Sequence, residues 1–123
     1  MGAVIAVSDL ADDRLADYRN LTDAAARGQD LFVAEGVLVI RQLVASPYPV
    51  RSMLVTPNRV EALAAEIESV AAPTYVVDQS VINAVTGFNI HRGALASGAR
   101  VPLPPLAAVL APARRLAVVE GIT

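Results

Sequence analysis

The stretch Asp30–Ser46, DLFVAEGVLVIRQLVAS, constrains this chain more than any other. Four apolar residues in a row, Leu31–Ala34, predict a short strand covered on both faces. A helix over Glu35–Ala45 follows. Its apolar residues Val37, Leu38, Ile40, Leu43 and Val44 recur at three- and four-residue spacing, the stripe of a helix lying on a sheet. The branched Val37, Val39 and Ile40 are weak helix formers, so packing has to hold this helix in place. Gly36 in its first turn lets another backbone approach, and Glu35 suits the positive helix N-terminus. Pro47 and Pro49 stop it after Ser46.

The other segments fall into order around this unit. Residues 1–11 read as a flexible arm, and Asp9–Arg19 as a short helix capped by Ser8 or Asp9. Asn20–Gly28 continues as a turn or second short helix, with Gly28 as its stop. Val50–Thr56 is a strand, Arg59–Val70 a helix and Thr74–Val77 a strand. Val81–Val85 is a short helix ended by Gly87, and Ile90–Ala96 a fourth strand. Helices alternating with strands predict an α/β fold: a three-layer α/β/α sandwich on a four-stranded, largely parallel sheet, over residues 12–98. Gly98–Pro105 has linker composition, with residues 99–105 as the connection. Leu106–Leu110 is a helical turn. Leu116–Val119 is a bare apolar strand without a following crossover, so residues 106–123 read as the start of a truncated second domain.

Composition removes several function classes. The chain of 123 residues has no cysteine, and His91 is its only histidine, so a zinc or di-metal centre is not expected. No basic leader or long apolar run is present, which predicts a cytoplasmic protein without a membrane partner. All ten basic residues are arginine, and the net charge is −2. Residues 79–119 nevertheless carry Arg92, Arg100, Arg114 and Arg115 and no acid. That asymmetry fits either an anionic partner or ordinary solvated surface.

Three segments, Arg14–Thr22 (RLADYRNLT), Leu31–Leu43 (LFVAEGVLVIRQL) and Thr86–Ala96 (TGFNIHRGALA), together with the final LAVVEGIT, carry a family resemblance by their order and spacing. The chain resembles the N-terminal half of the SpoU/TrmH family of RNA 2′-O-ribose methyltransferases from about Asp12 onward. The resemblance implies a small substrate-binding module similar to ribosomal proteins that bind kinked RNA. It also implies a knotted, dimer-forming catalytic domain of the SPOUT type beyond it, where S-adenosylmethionine binds. That domain's Asn- and Arg-bearing motif and its Gly-rich cofactor loops have no counterpart in these residues. The expectation is an enzyme parent whose catalytic and cofactor-binding residues lie elsewhere, with no cofactor bound by this chain.

The partner implied is structured RNA, ribosomal or transfer. Such RNA is recognised through shape, phosphates and 2′-hydroxyls, within reach of arginine forks and loop backbones. Candidate contacts are Asn89, His91 and Arg92 in Thr86–Gly93, then Glu35 and Gly36, and Arg41 on the exposed side of the long helix. Each has a plainer reading. His91 can satisfy a backbone carbonyl, Arg41 can be solvated surface, and Glu35 can be a helix N-terminal carboxylate rather than a desolvated acid. Phe88 either stacks on a base or, as an aromatic before a strand, belongs to the core. No nucleophile–base pair, phosphate loop or dinucleotide fingerprint is present. The alternative reading is a protein-interaction module docking through Val101–Pro105.

Overall fold

The computed structural model describes residues 1–22 and 30–122. Gly28, the expected stop, and most of the second short helix expected before it lie outside the described residues.

A five-stranded sheet forms the middle layer. Its strands are β1 (Val4–Ala6), β2 (Leu31–Glu35), β3 (Val50–Val55), β4 (Thr74–Val76) and β5 (Ala94–Ala99), in the order β1-β4-β3-β5-β2. The β1–β4 and β4–β3 pairs are parallel, whereas β5 runs antiparallel to both β3 and β2. The sheet is therefore mixed, not largely parallel. The helices are α1 (Val37–Val44), α2 (Ala64–Ser69), α3 (Gln79–Thr86) and α4 (Leu106–Leu110).

Two apolar clusters lie on opposite faces of the sheet. One joins Leu15, Tyr18, Leu54, Tyr75, Ile82, Val85, Ile90 and Leu95, so it holds the 3-10 helix Asp13–Tyr18 and α3. The other joins Ile40, Leu43, Met53, Val55, Leu63, Ile67 and Ala96, so it holds α1 and the segment through α2. Neighbours Met53 and Leu54, both fully buried, point to opposite clusters, as the two-residue period of a strand requires. Burying each is worth about 1.5–3 kcal/mol.

The RLADYRN segment locks one layer by polar contacts. The Asp12 carboxylate accepts the Arg14 amide at 2.9 Å and caps the 3-10 helix, in place of Ser8 or Asp9. Asp17 takes the Arg51 Nε hydrogen at 2.8 Å and the Ser97 hydroxyl at 2.6 Å. Burial pushes the Asp17 carboxyl up, but these hydrogen bonds outweigh it and hold the group below the ordinary aspartate value. The fully buried Tyr18 hydroxyl lies 2.7 Å from the Ser52 hydroxyl. Burial raises the Tyr18 phenol above its ordinary value. This segment thus ties the N-terminal layer to β3 and β5.

Several expectations are corrected. Residues 4–6 of the expected flexible arm form edge strand β1, held by the Thr74 amide on the Ala3 carbonyl and the Val7 amide on the Val76 carbonyl. Strand β2 is the opposite edge, half-buried rather than covered on both faces. Glu35 is its last residue, paired with Leu95, so the helix begins after Gly36 and Glu35 is not a helix N-terminal carboxylate. The fourth strand starts at Ala94 rather than Ile90, because Gly93 turns the chain at φ +61°. Gly98 and Ala99 belong to β5; Gly98 lies beneath the Phe32 ring, where no side chain would fit. Val101–Ile122 are exposed throughout, and Leu116–Val119 form no strand.

Candidate functional site

Because β5 runs against its neighbours, the loop entering it meets the carboxyl ends of β2 and β3. The Gly36 amide donates to the Ala94 carbonyl at 2.9 Å, and the Thr56 amide donates to the Gly93 carbonyl at 2.9 Å. Gly93 has to be glycine. Its φ is positive, and a Cβ there would lie 2.5 Å from Thr56 Oγ1.

The upstream half of the loop is fixed from α3. Asn83 is the centre: its Oδ1 accepts the Ile90 amide at 3.0 Å, and its Nδ2 donates to Asn89 Oδ1 at 3.1 Å. Gln79 Nε2 donates to the Ile90 carbonyl at 2.7 Å and to Asn83 Oδ1 at 2.9 Å. The buried Thr86 hydroxyl lies 2.8 Å from the Ile82 carbonyl and 3.1 Å from that of Phe88. Gly87 then leaves the helix at φ +85°, the left-handed end common at helix termini. Ile90 is fully buried and anchors the loop, leaving Asn89, His91 and Arg92 exposed.

Arg92 and Gly36 meet, although 55 residues separate them in the sequence. A Cβ on Gly36 would lie 2.9 Å from Arg92 Cδ and 3.1 Å from Arg92 Nη1. Gly36 is the N-cap of α1, with φ +92° and no side chain to bond the first helical amides. Those amides have no partner within the helix, so a guanidinium and a helix N-terminus share one end of the sheet. Glu35, half-buried, stands beside them. The combination can take a phosphate oxygen at Arg92 and a hydroxyl donor at Glu35.

Arg41 does not join this group. Its Nε donates to Glu66 Oε1 at 3.0 Å and its Nη2 to the Ala62 carbonyl at 2.9 Å, so it fastens α1 to the α2 segment. Phe88 does not sit in the core. The ring is 38% exposed and belongs to neither apolar cluster. Sequence reasoning missed Asn83, Gln79 and Thr56, the residues that hold the loop. The only available signal was a pair of amide side chains four residues apart ahead of a glycine stop. Among the described residues no group of three His, Cys, Asp or Glu is placed to hold a metal ion, and no helix is long and apolar enough to cross a membrane.

No protein-family model matches the chain. It is 39% identical over 121 residues, 94% of its length, to a protein of Mycobacterium tuberculosis named an uncharacterized tRNA/rRNA methyltransferase. The same figures hold for a protein of Mycobacterium bovis with the same description. The chain spans 42% of the length of these relatives. Among solved structures, an rRNA methyltransferase from Sinorhizobium meliloti superposes with a TM-score of 0.64 at 21% identity, covering 81% of this chain and 38% of that one. Its AdoMet-bound form gives 0.65 at 21% identity, covering 84% and 39%. These structures share the α/β fold.

Proposed function

We infer that this chain, homologous to RNA methyltransferases over less than half of their length, is the part that recognises RNA. The reading is that residues 12–98, with β1 added to their sheet, form the substrate-binding domain. Residues 99–105 are the linker, and 106–123 are the first residues of a catalytic domain. The parent would methylate a ribose 2′-hydroxyl of ribosomal or transfer RNA with S-adenosylmethionine and would dimerise through that second domain, as the SpoU/TrmH resemblance implies. The cofactor-binding residues of that family have no counterpart in residues 1–123, so no catalytic step belongs to this chain. The exposure of Leu116–Val119, a β-prone segment with no neighbouring strand, supports the domain division.

The observation that carries the reading is the meeting of Arg92 with Gly36 at the carboxyl end of β2. Ligands of open α/β sheets gather at such ends. The amide network of Asn83 and Gln79 holds the arginine-bearing loop rigid, so little order is lost when RNA binds. Within this site Arg92 takes a phosphate, Asn89, His91 and Glu35 offer hydrogen bonds, and the Gly36 backbone permits close approach.

Arg92→Ala tests it. Affinity for structured RNA should fall by about 1–3 kcal/mol if the contact is a desolvated charge-assisted pair. The salt dependence should shrink by about one counterion, with the melting temperature nearly unchanged. A variant that melts several degrees lower and binds RNA as before would make Arg92 a structural residue only.

A second reading has its own observation. An open groove of about 1300 Å³ runs along edge strand β2, lined by Phe32, Val39, Leu43, Tyr48, Val101 and Leu103. It would suit docking of a protein segment. Capture of a partner that survives nuclease treatment would favour it over RNA.

A further inference from the structure

We propose that Phe88 is a stacking platform for an unpaired base, so that the RNA taken at this face is a loop, bulge or single-stranded junction rather than a continuous duplex. The proposal rests on the RNA reading above and adds to it the kind of RNA and the side chain that selects it.

The chain has five aromatic residues, and the structure accounts for four of them. Tyr18 and Tyr75 are buried in the core, the latter beneath the Arg14 guanidinium at 5.9 Å. Phe32 and Tyr48 pack edge to face, with ring centroids 5.3 Å apart. Phe88 has no aromatic or guanidinium partner among the described residues and stands apart from both apolar clusters. It is the exposed apolar residue of a loop that otherwise displays Gly87, Asn89, His91 and Arg92.

On this polar loop 38% of Phe88 stays open to solvent, a surface that a base can cover. Its backbone, however, is held on both sides. The Thr86 hydroxyl bonds the Phe88 carbonyl, and Asn83 grips Asn89 and Ile90 directly after it. A loop held in this way loses little backbone freedom when a base lies on the ring it carries. Bases inside a helix already stack on each other and cannot offer a face, so the ring selects bases that are splayed out. Arg92, four residues on, supplies the phosphate contact that a strand leaving the ring requires. The loop itself displays one arginine, Arg92, whereas a long duplex track needs many cationic contacts.

The chain has no tryptophan, so Phe88→Trp introduces a single fluorophore at the proposed contact. Two RNA probes are titrated by anisotropy and by tryptophan emission: a stem capped by an unpaired loop, and the same stem as a blunt duplex. The expected result is quenching by the loop RNA only, with affinity kept in Phe88→Trp and Phe88→Tyr. Phe88→Ala and Phe88→Leu should weaken loop binding by about ten- to hundredfold, the worth of one stacked base. Loop binding without quenching, equal preference for the duplex, or full affinity in Phe88→Leu would overturn the stacking proposal and leave the RNA reading standing. If the wild-type chain binds neither probe at low salt, both readings fall together.

Discussion

Replacing Gly36 with alanine tests the geometry on which the site depends. Gly36 sits at φ +92° and ψ 153°, a region that only glycine occupies without strain. Forcing alanine into it costs about 1–3 kcal/mol. Against this, alanine removes about 0.4–1 kcal/mol of unfolded-state freedom, so the net loss is about 1–2 kcal/mol. For a domain of this size that corresponds to a fall in melting temperature of about 4–16 °C. The new Cβ would also meet Arg92 Cδ at 2.9 Å, but an exposed side chain can swing aside. The double variant Gly36→Ala with Arg92→Ala separates the two causes. Circular-dichroism melts of both single variants and the double variant should show the loss unchanged in the double, because it lies in the backbone. Recovery of wild-type stability in the double variant, or a Gly36→Ala chain that melts with wild type, would refute the argument. In either surviving case RNA affinity should fall in Gly36→Ala, since Arg92 has been moved.

Stability should decline above pH 10. The Tyr18 phenol, raised by burial, keeps its proton in the folded chain beyond the ordinary value of 10.0, where the unfolded chain releases it. The unfolded state then binds fewer protons, and stability falls by up to about 1.4 kcal/mol per pH unit in that window, while the contribution below pH 10 is complete. Tyr18→Phe should flatten this alkaline slope and cost about 1–3 kcal/mol at neutral pH by stranding the Ser52 hydroxyl; an unchanged slope would exclude Tyr18 as its source. Titration calorimetry with S-adenosylmethionine should give no saturable heat from this chain, and a micromolar dissociation constant would restore a self-contained enzyme. Amide exchange in Leu116–Val119 should be fast next to Met53 and Leu54 in the dilute monomer, and equal protection would assign that segment to the first domain.

The sandwich and the alternation of strands and helices were legible because apolar periodicity reports which side of an element is covered. The sheet order was not, because the same pattern fits parallel and antiparallel neighbours. Hence β5, with the small residues Ala94, Ala96 and Gly98, carried no sign that it runs against β3 and β2. Four apolar residues at Leu31–Ala34 suggested two covered faces, yet Leu31, Phe32 and Val33 remain half-exposed at a sheet edge. The three residues of β1 are too few for a period, and backbone hydrogen bonds set their place. In the site, Arg92 and Gly36 could each be named from their residue types, but their contact depends on that same reversed strand. The contacts of Arg41 were not legible because its partners, Glu66 and the Ala62 carbonyl, lie on a segment far along the chain.

The insertion of β5 between β2 and β3 also bears on how the chain is made. Strand β2 has no other neighbour in the sheet, and the Gly36 amide takes its acceptor from Ala94. A ribosome that has released only the first ninety residues therefore holds β2 without a partner strand and α1 over an unfinished floor. Such pairings between distant segments form late and slowly. The end of the sheet where Arg92 meets Gly36 comes into being only when β5 slides into the gap between β2 and β3. On the function proposed above, a chain ending before Ala94 lacks this end of the sheet and should not bind RNA there.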